Sequence, residues 1–205
     1  MKPNRIPLFP LDVVLFPDAL LPLHIFEPRY KLMIRHCIEA KLQFGVILAR
    51  EKGIVATGCM ATITAVVKQY QDGKMDILTR GDIPFHVTHV FDEKPYYEAS
   101  VDYLDEEANA YPKPPDELTD VYEQCYWLIF NRGPAASSAS QPASPAYGMA
   151  DSLPLPLEAK QVLLEMRDEH QRQEQLLTQL KDCLPELLYL RERRQRARGN
   201  GHSLN

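Results

Sequence analysis

Four prolines divide an apolar stretch near the beginning of the chain, from residue 6 to residue 37. They are Pro7, Pro10, Pro17 and Pro22. The pieces between them are too short for helices and are rich in Leu, Val and Phe, which favours buried β-strands. Because proline lacks an amide hydrogen, it is expected at strand starts, edges or bends. The stretch therefore predicts a first sheet layer that crosses the core several times.

The same stretch ends in a predicted helix that begins at Glu27-Pro28. Proline suits the first helical position because its φ angle is preset and its missing amide hydrogen needs no partner there. Apolar residues then recur at helical spacing along one face, and they are Tyr30, Met33, Ile34, Cys37 and Ile38.

A β-rich region is predicted to follow this helix. The dipeptide Asp72-Gly73 lies between two β-patterned runs, which is typical of a hairpin because both turn residues must accept positive φ. The residues before this turn are largely β-branched, as in a paired strand. The predicted strands are residues 44–49, 59–70, 75–80, 85–91 and 97–103.

The run L-F-P-L-x-x-V-L-F-P-x-x-x-L-P-L-x-I-F-E-P-R-Y, residues 8–30, resembles the opening of the LON domain. That domain is the N-terminal substrate-recognition region of Lon proteases, and it also occurs in small stand-alone bacterial proteins that lack ATPase and peptidase domains. The hairpin region is similar as well, with matches at Gly58, Ala61-Thr62-Ile63, Asp72-Gly73, Gly81 and Phe85. The family usually has an arginine where this chain has Pro84.

The resemblance continues in the second half of the chain and covers about residues 5–185. Ala150-Asp151-Ser152, the leucines that follow it and Arg172 look like the helical part of the LON domain, although Gln173 replaces a usual leucine. The fold that this resemblance implies is α+β. It is a PUA-like, mostly antiparallel β-barrel subdomain with one helix, followed by a helical-bundle subdomain.

The predicted domain organisation places the β subdomain at residues 5–110 and the helical subdomain at residues 116–198. Prolines at 112, 114 and 115 mark the boundary, and the acidic stretch before it is read as a solvated connector. A low-complexity loop is predicted at 134–149, because that segment is poor in core residues. Residues 199–205 are predicted to be a disordered tail.

Within the helical subdomain, Asp168 is a predicted N-cap, and Pro185 is predicted to kink or end the helix that follows. Five arginines lie between Arg191 and Arg198. They are interpreted as a charged helix end, because positive groups suit the negative end of the helix dipole. The alternative is a tail that binds RNA or phospholipid.

The clearest helix in the second half covers residues 116–132, where an apolar stripe includes Val121, Cys125 and Leu128. At about 100° per residue, Trp127 lies nearly opposite this stripe and Phe130 lies well away from it. One interpretation is a peptide-binding surface formed by Trp127 and Phe130, with Tyr147 approaching from the low-complexity loop, because aromatic residues dominate interface hot spots. The alternative is that both faces are core.

No residue is assigned a catalytic, cofactor-binding or metal-binding role. The sequence has no G-x-x-x-x-G-K-[ST] phosphate-binding loop and no G-x-S-x-G nucleophile motif. His86 and His89 are predicted on opposite faces of a strand, because their offset is odd. The four cysteines are scattered and are interpreted as buried thiols. The chain is therefore predicted not to be an enzyme.

Two functions remain open. The LON resemblance implies a non-catalytic module that recognises unfolded protein or peptide segments, acting with a protease or chaperone. The alternative is a PUA-like RNA-binding protein, with Tyr70, Phe85 and Phe91 as stacking platforms. The net charge of −5 argues against nucleic acid. No apolar stretch is long enough to span a membrane, and no signal peptide is evident, so a cytoplasmic location is expected.

Overall fold

The computed structural model describes residues 3–104, 112–134 and 144–199, with side chains described as far as residue 196. The strands are β1 (Arg5–Leu11), β2 (Leu20–Ile25), β3 (Phe44–Arg50), β4 (Gly53–Gln69), β5 (Met75–Phe91) and β6 (Glu98–Tyr103). The helices are α1 (Pro28–Ala40), α2 (Asp116–Phe130), α3 (Pro145–Asp151), α4 (Leu157–Glu165) and α5 (Glu169–Gly199). The α+β class predicted from the sequence is confirmed. No helix in the described ranges is long and apolar enough to cross a membrane.

The strands form one six-stranded sheet in the order β2-β5-β4-β3-β1-β6. Strand β6 pairs with both β1 and β5, so five of the strands close into a barrel and β2 flanks it. The β1–β3 pair is parallel, and every other pair is antiparallel. The barrel is therefore mostly antiparallel, as expected.

Pro7 and Pro10 lie within β1 and Pro22 lies within β2, the two strands that the opening stretch forms, whereas Pro17 lies in the connection between them. Residues 5–7 of β1 pair with β6, whereas residues 8–11 pair with β3. Each half of β1 therefore has one side without a partner strand, which accommodates Pro7 and Pro10. Pro22 lies in β2, which pairs only with β5. Edge positions explain these prolines, but the stretch crosses the core fewer times than predicted.

Two apolar cores result from this topology. The smaller core fills the barrel, and its buried members are Ile6, Leu8, Ile47, Met60, Phe85, Ala99 and Val101. The larger core lies between the outer face of the sheet and the helices, and it includes residues from α1 through α5. The strands and the helical half therefore share one continuous core.

A close backbone contact fixes the connection between β1 and β2 against β5. The Gly81 amide donates to the Ala19 carbonyl at 2.9 Å, and the Gly81 carbonyl accepts from the Asp18 amide at 3.0 Å. A Cβ atom at Gly81 would lie 2.0 Å from the carbonyl oxygen of Phe16. Only glycine allows this approach, which holds Phe16 where it meets the helical half.

A buried cluster of polar residues joins the beginnings of α3 and α5. We call it the Arg172 cluster, and its members are Ser144, Tyr147, Glu169, Arg172 and Gln173. The Arg172 side chain is 0% exposed and forms an ion pair with Glu169. It also donates to Ser144 Oγ at 3.0 Å. The Ser144 hydroxyl donates to Glu169 at 2.6 Å, so the buried charges share a common partner.

The Arg172 cluster also reaches other parts of the chain. Arg172 donates to the Met166 carbonyl at the end of α4 at 2.8 Å. Its guanidinium lies 3.9 Å from the centre of the Tyr147 ring, which stacks on Phe16 with ring centres 4.9 Å apart. Gln173 donates to Glu169 and to the Pro112 carbonyl, each at 3.0 Å. The glutamine that departs from the family pattern therefore connects α5 to the segment before α2.

Part of the predicted low-complexity loop is helical. Residues 135–143 lie outside the described residues, as do the predicted tail at 200–205 and the end of the β subdomain at 105–111. Residues 145–149, however, belong to α3. Ser144 caps this helix by accepting from the Tyr147 amide at 3.2 Å, and Pro145 occupies its first turn. A cap and a proline at the start define a helix there despite the biased composition.

The expectations for α5 are met in part. Asp168 was predicted to cap it, and its carboxylate accepts from the Gln171 amide at 2.9 Å. The sequence predicts that Pro185 kinks or ends the helix, and α5 does not end there, because it continues through Pro185 to residue 199. Apolar residues on both sides of the proline, Leu180 and Leu187, pack into the larger core. This packing compensates for the hydrogen bond that proline removes.

Replacing Glu169 with alanine should lower the free energy of unfolding by about 3–5 kcal/mol, because Arg172 would keep its buried charge without a carboxylate. Urea unfolding followed by circular dichroism measures this change. Glu192→Ala is the control, since Glu192 forms an exposed pair with Arg196 at 3.4 Å. The control should lose less than about 1 kcal/mol. Equal stability of the two variants would contradict the role assigned to Glu169.

Candidate peptide-binding groove

A groove of about 260 Å³ lies between α2, α5 and the segment that joins α3 to α4. We call it the α2–α5 groove. Helix α2 contributes Cys125, Leu128 and Ile129, and the connecting segment contributes Leu153, Pro154, Leu155 and Pro156. Helix α5 contributes Leu180, Cys183, Leu187, Leu190, Arg191 and Arg194. The lining is therefore mainly apolar, as in most sites that bind ligands.

Helical periodicity places these side chains on facing surfaces. On α5 the apolar positions 180, 183, 187 and 190 follow helical spacing, so they form one stripe. Leu180 is buried, and Leu190 is exposed at the open side of the groove. The segment that joins α3 to α4 forms the third wall of the groove, beside α2 and α5. Its two prolines restrict the backbone and give this wall a defined shape.

One end of the α2–α5 groove is cationic. Arg191 and Arg194 also line an adjoining hollow of about 250 Å³, together with Leu128, Ile129, Asn131 and Gln195. Within the described ranges, neither arginine forms an ion pair with a carboxylate. The site therefore combines apolar walls with two guanidinium groups that are available to an anionic group.

Trp127 lies beside the cationic end. Its side chain is 42% exposed, and the Arg191 guanidinium lies 3.5 Å from the ring centre. This stacking holds Arg191 between the indole and the groove. Phe130 is 41% exposed and contacts Tyr126, with ring centres 4.6 Å apart. Both residues are at the surface, and binding of a peptide to them stays a prediction.

Tyr147 does not join this surface, so the expectation that it approaches from a mobile loop was wrong. It lies in α3, is 2% exposed, and is held between Phe16 and Arg172. Burying this large ring stabilises the folded chain more than leaving it exposed in a loop would, because the hydrophobic effect scales with the area removed from water. The three aromatic residues grouped by the sequence therefore separate into two at the surface and one in the core.

The arginines and the connecting segment were missed as lining residues. The arginine-rich end of the chain was read as a charged helix end. Extending the apolar stripe of α5 in helical steps leads from Leu187 and Leu190 to Arg191 and Arg194. Helical periodicity alone therefore indicates that these arginines share the face of α5 that lines the groove. No local signal indicates that residues 153–156 form the third wall, because their position depends on the packing of α3 and α4.

The groove thiols are poorly suited to nucleophilic chemistry. Burial raises the pKa of Cys125 to about 11. Burial also raises the pKa of Cys183, and the nearby Asp182 and Glu186 raise it further. Because the thiolate is the reactive form, both groups are largely protonated at neutral pH. The groove therefore supports binding through apolar and ionic contacts.

His86 and His89 do not face opposite sides of β5 as expected. Their register partners on β6 are Asp102 and Ser100, two residues apart, because a bulge at Thr88 adds a residue between them. Both histidines therefore lie on the same face. Across the described part of the chain, no three His, Cys, Asp or Glu side chains form a group suited to a metal ion.

The aromatic residues of the sheet do not form an open stacking platform. Phe85 is fully buried inside the barrel. The Tyr70 hydroxyl donates to Asp76 at 2.8 Å, and Phe91 lies beneath the Arg5 guanidinium at 3.9 Å. Bases stack on exposed rings next to cations. The structure therefore removes Phe85 from the RNA-binding alternative.

Comparison with known proteins gives a consistent result for most of the chain. The family model described as the ATP-dependent protease La (LON) substrate-binding domain matches residues 5–182. A Lon protease from Parabacteroides distasonis is 27% identical over 112 residues. That match covers 50% of this chain but only 14% of the protease.

Two solved structures are similar over more than four-fifths of the chain. A Lon N-terminal domain protein from Xanthomonas campestris has a TM-score of 0.65 and 26% identity, covering 85% of this chain and 97% of that protein. The N-terminal domain of a Mycobacterium avium complex Lon protease has a TM-score of 0.62 and 16% identity. It covers 87% of this chain and 98% of that domain, and at this identity it supports the fold alone.

Replacing Trp127 with alanine should cost about 1–2 kcal/mol of unfolding free energy, because the ring is partly exposed and its main partner is a surface arginine. Phe44→Ala, which removes a fully buried ring, should cost about 3–5 kcal/mol. Urea unfolding followed by circular dichroism compares the two variants. Trp127 is the only tryptophan, so acrylamide should quench the fluorescence of the wild-type protein readily. A shielded indole and a loss equal to that of Phe44→Ala would show that Trp127 is core.

Proposed function

The chain belongs to the LON substrate-binding domain family, and on that premise we propose that it binds unfolded protein or peptide segments in the α2–α5 groove. The family match concerns the substrate-binding region of Lon and not its peptidase region. A substrate-binding module is therefore the function that the family supports. The location of the binding site and the identity of its occupants are the parts that we add.

The combination of apolar walls and arginines in the α2–α5 groove carries this proposal. Unfolded segments expose apolar side chains that folded proteins bury, and the leucine-lined walls of the groove can remove them from water. Arg191 and Arg194 add a preference for a carboxylate near the apolar side chains, because guanidinium groups bind carboxylates through paired hydrogen bonds. Trp127 fixes Arg191 and thereby reduces the entropy lost on binding.

The module acts without catalysis in this proposal. It holds a segment and passes the bound protein to a protease or chaperone, which makes it an adaptor in the cytoplasm. The resemblance to the substrate-binding region of a protease supports this role. RNA binding is the less favoured function, because the sheet offers no exposed pair of rings among Tyr70, Phe85 and Phe91.

Leu190→Ser should weaken binding of unfolded casein about tenfold, since it removes an apolar contact worth about 1–2 kcal/mol at the open side of the α2–α5 groove. Leu188→Ser is the matched control. Leu188 is on the same helix and similarly exposed, at 41% against 38% for Leu190, but it does not line the groove. Fluorescence anisotropy of labelled casein measures both affinities.

Cys183 provides an independent readout of groove occupancy in the same experiment. It is the only half-buried cysteine, and the other three are buried. Casein bound in the groove should slow the reaction of Cys183 with a maleimide, and Cys183→Ser should remove that signal. If Leu188→Ser and Leu190→Ser weaken binding equally and Cys183 is not protected, casein binds elsewhere and the proposed site is wrong.

The purified protein should neither hydrolyse ATP nor cleave unfolded casein, because its sequence has neither a phosphate-binding loop nor a nucleophile motif. Phosphate release and gel analysis of casein measure the two reactions. ATP turnover that survives repurification and changes with a point mutation in this chain would contradict a non-catalytic role.

A further inference from the structure

Strand β4 extends beyond its neighbour β3 and leaves an edge on that side. Residues 53–61 of β4 pair with β3, which begins at Phe44. Within the described ranges, residues 62–69 pair only with β5. A strand edge without a partner presents backbone N–H and C=O groups in a row, which is a template for another strand. We call residues 62–69 the β4 edge.

A hollow of about 350 Å³ lies between the β4 edge and the end of α1. Its lining includes Ile38 and Leu42 on one side and residues 62–66 on the other. Ile63 and Val66 have buried register partners on β5, Thr79 and Ile77, so they lie on the face of the sheet that carries α1. A strand added at this edge would place alternate side chains over these apolar residues.

The β4 edge is apolar enough to favour a partner. Val66 is 44% exposed and Val67 is 68% exposed. Most residues in this part of β4 are β-branched, which suits a paired strand. Their exposure on an edge is a feature that proteins usually avoid unless the edge binds something.

The shape of the edge favours an adaptable partner over a second copy of this chain. Register shifts between Ile63 and Ala65 and between Val66 and Lys68 leave Thr64 and Val67 without register partners on β5, although the Thr64 hydroxyl donates to the Leu78 carbonyl at 2.9 Å. Such bulges increase local twist and disfavour pairing between two rigid, identical edges. An unfolded segment has no fixed twist and can follow the edge.

The charge around the edge favours a partner with carboxylates. Lys41 lines the hollow, and Lys68 lies on the edge itself over the Tyr70 ring at 4.4 Å. Neither lysine forms an ion pair within 4.0 Å among the described residues, although Lys68 lies opposite Asp76 on β5. Asp76 is bonded to His24 and Tyr70, and these bonds together with Lys68 lower the pKa of its carboxyl group, so its charge is already shared. Two copies of the edge would bring these positive charges together, whereas an acidic segment would complement them. The chain as a whole is negative, so this positive rim is a local feature.

We propose that the β4 edge binds an extended polypeptide segment that carries carboxylates, by adding it to the sheet as a further strand. Backbone hydrogen bonds supply most of the affinity, and Lys41 and Lys68 select acidic side chains. This site is separate from the α2–α5 groove and uses a different kind of contact. Its existence does not depend on the groove, and each surface has its own test.

A synthetic peptide of about eight residues that alternates valine or threonine with glutamate matches the length of the edge, at about 3.3 Å per residue. We expect it to bind the full chain and to slow amide hydrogen exchange in residues 62–69. The same peptide with alternate backbone amides methylated should not bind, because it keeps the side chains but loses strand hydrogen bonds. A peptide with lysine in place of glutamate should bind about tenfold more weakly.

Lys41→Asn with Lys68→Glu should weaken binding of the acidic peptide about tenfold. Asparagine is chosen because residue 41 has a φ of 54°, which asparagine tolerates. Lys52→Gln with Lys113→Glu is the control with the same change in charge, at exposed positions away from the edge. The control variant should bind the acidic peptide within about twofold of the wild-type affinity, because charges far from the edge are screened by salt.

Three outcomes would overturn the proposal. Equal binding of the methylated peptide would show that no strand is added. If the peptide slows amide hydrogen exchange only in α2 and α5, it binds in the α2–α5 groove and not at the β4 edge. Concentration-dependent dimerisation in sedimentation experiments, with protection of residues 62–69 in the absence of peptide, would show that a second copy occupies the edge. Loss of casein protection at Cys183 in the Leu190→Ser variant, by contrast, concerns only the groove.

Discussion

The ion pair between Arg172 and Glu169 is the contact on which the rest of the architecture depends. Both groups are buried, and their charges are balanced by each other and by Ser144. The same arginine holds the end of α4 through Met166 and the Tyr147 ring of α3. Tyr147 in turn stacks on Phe16 of the barrel half. The ion pair itself lies within α5, so the bonds from the paired groups to Ser144 and Met166 and the contact with Tyr147 are what hold α3 and α4 against this helix.

This anchoring explains how the α2–α5 groove is formed. The Arg172 cluster lies near the start of α5, while the groove uses the part of the same helix from Leu180 to Arg194. Gln173 donates to the Pro112 carbonyl in the segment that precedes α2. This bond fixes the start of α2 against the start of α5, and these two helices form two walls of the groove. The cluster thus stabilises the frame, and the apolar stripe beyond it remains available for binding.

The two proposed binding surfaces recognise different features of an unfolded chain. In our proposal the α2–α5 groove contacts apolar side chains and a carboxylate, so it selects segments by their amino-acid composition. The β4 edge is proposed to contact backbone amides, which every segment has, and to add a preference for acidic side chains through Lys41 and Lys68. A module that must hold many sequences benefits from both, because backbone contacts give affinity without requiring a particular sequence.

The sequence by itself determined the elements whose signals are local. The prolines before residue 25, the Asp72-Gly73 turn, the stripes of α1 and α2 and the cap at Asp168 all depend on neighbours within a few residues. Only the tertiary structure decided the closure of the barrel by β6, the burial of Tyr147 and Arg172, and the face shared by His86 and His89. Those features depend on partners far away in the chain or on a single bulge. Short-range patterns do not encode these contacts, and the packing of the complete chain selects them.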